Sequence, residues 1–98
     1  MDEVESELQA AAVDVLTPLR QGRGLDTEAA ERLKTALGAA SRAWASASTI
    51  SKSAANLFVD LASGIDACSY AYSGQDAENI KASSDDVADL VRSCVQLP

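Results

Sequence analysis

A tyrosine and an aspartate four positions apart, Tyr72 and Asp76, are the residues whose types and spacing best suggest a recognition site. On a helix, residues four apart lie on one face, so we expect the ring and the carboxylate to be presented side by side. An aromatic anchor next to a charged group is a compact binding feature for a protein partner. The pattern occurs by chance in many helices, so its weight depends on the rest of the chain.

Catalytic chemistry has little support in the composition. Serines are plentiful but there is no histidine, which excludes a Ser-His-Asp triad and removes the commonest general base and metal ligand. The two cysteines, Cys68 and Cys94, have no histidine to complete a zinc site. The acids at Asp85, Asp86 and Asp89 lack the spacing of a calcium loop. We therefore predict no enzyme activity, no metal site and no cofactor.

The charge of the chain narrows the classes of partner. Fifteen acidic and eight basic residues give a net charge of -7, which repels nucleic-acid phosphates and anionic membranes. No run of about 18 apolar residues is present, so we predict no membrane insertion. The N-terminus is acidic where a secretory signal peptide would be basic, so we expect any export to use another route.

A single small helical domain is expected from the 98 residues. Much of the 47% hydrophobic content is alanine and only four residues are aromatic, which favours helices at close approach and a partner chain. A first helix over 2–17 is predicted from the spacing of Val4, Leu8, Ala12 and Val15. Pro18 is expected to end it, because proline disfavours helical geometry in the preceding residue.

A long heptad stripe dominates the middle of the chain, after an N-cap at Asp26 or Thr27. Its members alternate steps of three and four, the pattern of coiled coils and helical bundles: Ala30, Leu33, Leu37, Ala40, Trp44, Ala47, Ser51, Ala54, Phe58, Leu61, Ile65, Cys68 and Tyr72. Unbroken phase favours one helix over 26–75, about 70 Å long. The serines and threonine around Thr49 favour a break, with helices over 26–43 and 48–75.

The predicted fold is therefore all-α. It is an antiparallel helical hairpin or bundle of three or four helices, with one long heptad-bearing helix and coiled-coil-like packing. A last helix is predicted over 83–96, capped by Ser83 or Ser84. Cys68 and Cys94 have two interpretations: small buried residues, or a disulfide made possible by a hairpin turn near residues 81–84. Trp44 either fills a gap in an alanine-rich bundle or forms half of a recognition site.

The segment from Asp60 to Asp76, a helix that runs into Tyr72 and Asp76, resembles small substrates of the type VII (Esx) secretion system of actinobacteria. The likeness is closest to the EspC-like secretion-associated proteins. Trp44-Ala45-Ser46 is similar to the Trp-x-Gly turn of the WXG proteins and falls near mid-chain, as theirs does. The resemblance covers mainly residues 54–78.

The resemblance implies that Tyr72 and Asp76 form an export signal and that Trp44 contributes to the bundle end where partner and signal meet. It implies a helical protein partner, in a homodimer or heterodimer, and a membrane secretion ATPase that reads the signal. The protein would be cytoplasmic before non-Sec export. The alternative function is a cytosolic helical adaptor or immunity-type protein that binds a larger toxin.

Overall fold

Four α-helices make up the fold in the computed structural model, which describes residues 3–96. They are α1 (Glu3–Arg20), α2 (Thr27–Ala43), α3 (Lys52–Ser69) and α4 (Gly74–Val95). No strand occurs within the described range, and the all-α prediction is confirmed. The bundle measures 41 × 21 × 20 Å. The predicted start of the first helix at residue 2 lies outside the described residues.

The helices form two antiparallel hairpins, α1–α2 and α3–α4, packed side by side. The start of α3 lies next to the start of α1, where the Ser51 hydroxyl donates to the Glu5 carboxylate. The chain just after α3 lies next to the end of α1, where Tyr72 contacts Leu19. Helix α4 packs on both α3 and α2. The segment 44–51 therefore crosses between the hairpins at one end of the bundle.

The heptad stripe supplies much of the buried core. It lies on two helices separated by a break, as the serines and threonine around Thr49 predicted, and not on one long helix over 26–75. Its apolar members from Ala30 to Ala40 are buried on α2, and those from Ala54 to Ile65 are buried on α3. The chain leaves the helix at Trp44, and Ser51 caps α3 by accepting the Ala54 amide at 3.0 Å. Folding the stripe back on itself buries both halves within one chain, which a helix longer than the 41 Å bundle could not do.

Helix α1 continues past the proline that was predicted to stop it. It continues to Arg20, because the additional turn places Leu19 in the core on the same face as Leu16. The end has a Schellman pattern: the Arg23 amide donates to Pro18 O at 2.8 Å and the Gly22 amide to Leu19 O at 3.3 Å. Burial of Leu19 thus outweighs the local cost of proline.

The turn between α3 and α4 also departs from the prediction. Helix α3 ends at Ser69 and α4 begins at Gly74, whose φ of 60° is accessible to glycine with little strain. The predicted caps Ser83 and Ser84 are instead buried in the middle of α4. Because serine is small, it can occupy a core position where helices approach closely, so it need not mark a helix start.

The two cysteines are free thiols, and the disulfide interpretation is wrong. The turn of the α3–α4 hairpin lies at residues 70–73, not near 81–84. Cys68 therefore lies beside the start of α4, whereas Cys94 lies near its end, and the 22 residues of α4 span about 33 Å. A disulfide requires Cα atoms within about 7 Å of each other.

Candidate interaction site

The two hairpin turns lie together at one end of the bundle, which we call the loop end (residues 20–26 and 70–76). Tyr72 joins them. Its hydroxyl donates to the Leu19 carbonyl at 3.0 Å and accepts from the Gly24 amide at 2.9 Å. The ring is half-buried against the core. Tyr72 therefore fixes the α3–α4 turn to the α1–α2 turn.

Glycine makes this contact possible. Gly22 and Gly24 have φ values of 76° and 90°, in the left-handed region. Gly22 closes α1, and Gly24 turns its amide toward the phenol. On the other side, tight turns close α3: the Ala71 amide donates to Cys68 O at 3.0 Å and the Tyr72 amide to Ser69 O at 3.1 Å. Both turns are thus held by their own backbone before Tyr72 joins them.

Asp76 lies in the first turn of α4, where a negative charge is stabilised by the helix dipole. The residue is exposed, and its carboxylate makes no hydrogen bond or ion pair with any part of the chain that the structure describes. Ser73, the N-cap, makes no side-chain capping bond either. The acid is therefore available to a partner that approaches the loop end.

The expectation that Tyr72 and Asp76 share one helical face is wrong. Tyr72 lies in the turn before α4, and Asp76 lies within α4, with the left-handed Gly74 between them. The structure nevertheless places both residues at the loop end. The phenol faces inward to the α1–α2 turn, whereas the carboxylate is exposed to solvent.

Trp44 is not part of the loop end. It caps the C-terminus of α2, and the 17 residues of that helix, about 25 Å, separate it from the α1–α2 turn. It is half-buried, and its ring meets Phe58 edge-on, with centroids 6.2 Å apart and an interplanar angle of 63°. The structure thus places Trp44 in packing at the α2–α3 connection, and separates it from Tyr72 and Asp76.

A second tyrosine at the loop end was missed by the sequence reasoning. Tyr70 is 77% exposed, and Lys81 of α4 lies over its ring at 5.4 Å from the centroid. This cation–π contact holds a large aromatic surface in solvent. Tyr70 lies outside the heptad stripe that contains Tyr72, so the sequence predicts that its ring faces away from the core. That position was the signal for an exposed aromatic residue.

Cys94 is buried near the end of α4, away from the loop end. Burial raises the pKa of the Cys94 thiol, whose Sγ lies 3.3 Å from the Leu37 carbonyl. A buried thiol with a raised pKa is a poor nucleophile at neutral pH. Over residues 3–96, no group of three or more acids and cysteines could hold a metal ion, and no helix is long and apolar enough to cross a membrane.

No family model, curated protein or solved structure matches the chain. The loop end therefore has to be interpreted from its own residues: an exposed acid, an exposed aromatic ring and a rigid turn held by Tyr72.

Proposed function

We propose that this protein acts by binding other proteins, as a small helical substrate or partner of type VII secretion whose loop end is read by the export apparatus. One observation carries the proposal. The Asp76 carboxylate is exposed, with no partner in the described chain, beside a turn that Tyr72 holds in one conformation. A pre-ordered turn lowers the entropy that binding costs.

Tyr72 has a different part in this proposal from the one implied by the resemblance. Its hydroxyl is engaged within the chain, so a protein that binds the folded bundle contacts Asp76 and the outer edge of the Tyr72 ring. Tyr72 is then a positioning residue, and Asp76 is the group that a basic site on the secretion ATPase contacts. Because the ring is half-buried and the hydroxyl is engaged, we expect loss of Tyr72 to affect both folding and recognition.

The test is export from an actinobacterial host with an active type VII system. Asp76→Asn keeps the size of the side chain but removes its charge, and the helix-dipole effect limits the loss of stability to about 1 kcal/mol or less. Asp60→Asn is the matched control, because Asp60 is also exposed but lies on α3. We expect Asp76→Asn to lower the fraction in the medium while Asp60→Asn leaves it unchanged.

Tyr72→Phe and Tyr70→Phe form a second matched pair, because only Tyr72 donates and accepts a hydrogen bond through its hydroxyl. Export should fall for Tyr72→Phe in proportion to its loss of stability and stay normal for Tyr70→Phe. Normal export of the Asp76→Asn, Tyr72→Phe double variant would refute the proposal. Retention of the wild-type chain in the cell with a co-purifying toxin would support the adaptor alternative instead.

A further inference from the structure

A shallow apolar groove runs along the outer seam of the α1–α2 hairpin, on the side of the bundle away from α3 and α4. Its volume is about 500 Å³. The floor consists of alanines: Ala10 and Ala11 from α1, and Ala36 and Ala39 from α2. Because alanine ends at Cβ, no long side chain covers the outer seam between the two helices, and the groove lies open above it.

The rim of the groove is acidic. Glu7, Asp14 and Glu31 line it together with a single guanidinium, that of Arg32. Arg32 approaches Asp14 across the seam at 4.0 Å, and the Lys34 ammonium lies 3.5 Å from the Glu31 carboxylate, so a cation lies beside two of the three acids. At the Glu7 end of the groove, the lining residues include no lysine or arginine. An occupant of the groove therefore meets apolar carbon at the centre and negative charge at the edges.

We infer that this groove binds a basic amphipathic helix of a partner protein. Leucine-sized side chains on one face of such a helix would fill the space above the alanines. Lysines or arginines flanking that face would lie against the acidic rim, chiefly at Glu7. The residues that line the groove span about two turns of each helix, a length that a short helical segment covers. This surface lies on the side of the bundle, so the inference does not depend on recognition at the loop end.

A second copy of the chain fits the groove poorly. Two such grooves face to face would oppose alanine to alanine and leave the volume empty. They would also oppose two acidic rims in a chain whose net charge is -7. Charge complementarity thus favours a basic partner over a homodimer.

The experiment measures binding of a labelled synthetic peptide by fluorescence anisotropy. The probe is a helical peptide of about 14 residues, four turns, with leucines on one face and lysines beside them. A peptide of the same composition, with the leucines distributed around the helix, is the control ligand. Ala10→Arg and Ala39→Arg block the groove with a cationic side chain, and arginine is nearly as good a helix former as alanine. Ala62→Arg, on the exposed face of α3, is the matched control variant.

We expect the amphipathic peptide to bind the wild-type chain and to bind Ala10→Arg and Ala39→Arg at least about tenfold more weakly, with Ala62→Arg unchanged. Glu7→Gln should weaken binding and its salt dependence, whereas Glu78→Gln, an exposed acid on α4, should not. Circular dichroism melts confirm that each variant is folded. Equal binding to Ala10→Arg and wild type, or equal binding of the control peptide, would overturn the inference. A wild-type dimer in light scattering that Ala10→Arg dissociates would also overturn it, since the occupant would then be a second copy.

Discussion

Removal of one hydroxyl group at the loop end should destabilise the whole bundle. Tyr72→Phe keeps the half-buried ring but removes the oxygen that donates to the Leu19 carbonyl and accepts from the Gly24 amide. Gly24 belongs to the α1–α2 turn and Leu19 to the last turn of α1, 48 and 53 residues away from Tyr72 in sequence. The substitution therefore breaks the polar connection between the two hairpins at this end and leaves the packing in place.

The size of the effect follows from the number of bonds lost. A typical hydrogen bond within a protein contributes about 0.5–1.5 kcal/mol net, and two are removed here. Gly24 is half-buried, so water can reach part of the freed amide and reduce the loss. We expect Tyr72→Phe to cost about 1–2 kcal/mol, which for a domain of this size lowers Tm by about 5–15 °C.

Urea unfolding followed by circular dichroism measures that loss, and amide hydrogen exchange locates it. The Gly24 amide should exchange faster in Tyr72→Phe than in wild type. Tyr70→Phe is the control: its ring is exposed, so its stability should stay within about 0.5 kcal/mol of wild type. If Tyr72→Phe is as stable as wild type, or if both variants lose stability equally, the assignment of Tyr72 as the connection between the turns is refuted.

Further predictions concern backbone conformation, capping and thiol chemistry. Gly64→Ala should stabilise the protein by about 0.5–1 kcal/mol in thermal melts, since an added Cβ lies at an ordinary 3.5 Å from its neighbours in α1; a loss would show that α1 and α3 approach more closely. Gly74→Ala should destabilise it by about 1 kcal/mol or more, because its φ is 60°. Ser51→Ala should cost about 1 kcal/mol or more in urea unfolding, because it removes both the α3 cap and the hydrogen bond that the hydroxyl donates to the Glu5 carboxylate; no loss would mean that both interactions are dispensable. With a thiol reagent at mildly alkaline pH, Cys94 should react much more slowly than Cys68, and equal rates would contradict the burial of Cys94.

The raised pKa of Cys94 also determines the direction in which the stability of the protein changes with pH. The folded chain holds the thiol proton more tightly than the unfolded chain does. The stability linked to this group is therefore fully present below the unfolded pKa, and it is lost as pH rises above that value toward the folded pKa. Cys94→Ala should remove this alkaline loss of stability, measured by urea unfolding across the pH range, while lowering stability at neutral pH through the loss of packing.

The core of the fold could be predicted from the sequence because it depends on periodicity. The stripe is set by steps of three and four, and its members within α2 (Leu33, Leu37, Ala40) and α3 (Ala54, Phe58, Leu61, Ile65) are buried although the helix is not continuous. The break in the stripe was one of two predictions: the serines and the threonine around Thr49 favoured it, and the chain does leave the helix between α2 and α3. Periodicity alone does not reveal this break, because a chain that folds back can keep its heptads in phase on both sides of Ser51.

The helix ends show where local rules fail against packing. Pro18 was expected to stop α1, but burial of Leu19 extends it. Ser84 was expected to start a helix, yet it continues the core spacing that leads from Ile80 to Val87, with serine in place of an apolar residue. The helical spacing of Ile80, Ser84 and Val87 indicated that α4 starts before Ser83. A prediction that expects only apolar residues at core positions overlooks this spacing.

The candidate site was predictable in part. Tyr72 and Asp76 were identified by type and spacing, and both lie at one end of the bundle. Their inward and outward orientations depend on Gly24 and Gly74, whose left-handed conformations are properties of the folded chain. The separation of Trp44 from this site follows from the hairpin topology, which the heptad stripe does not reveal.

The proposed recognition of Asp76 by the export apparatus can be measured as the ratio of exported to cellular protein for Asp76→Asn and for its control Asp60→Asn. We expect a several-fold lower ratio for Asp76→Asn, a decrease larger than its loss of stability of about 1 kcal/mol or less explains. Equal ratios for the two variants would contradict it.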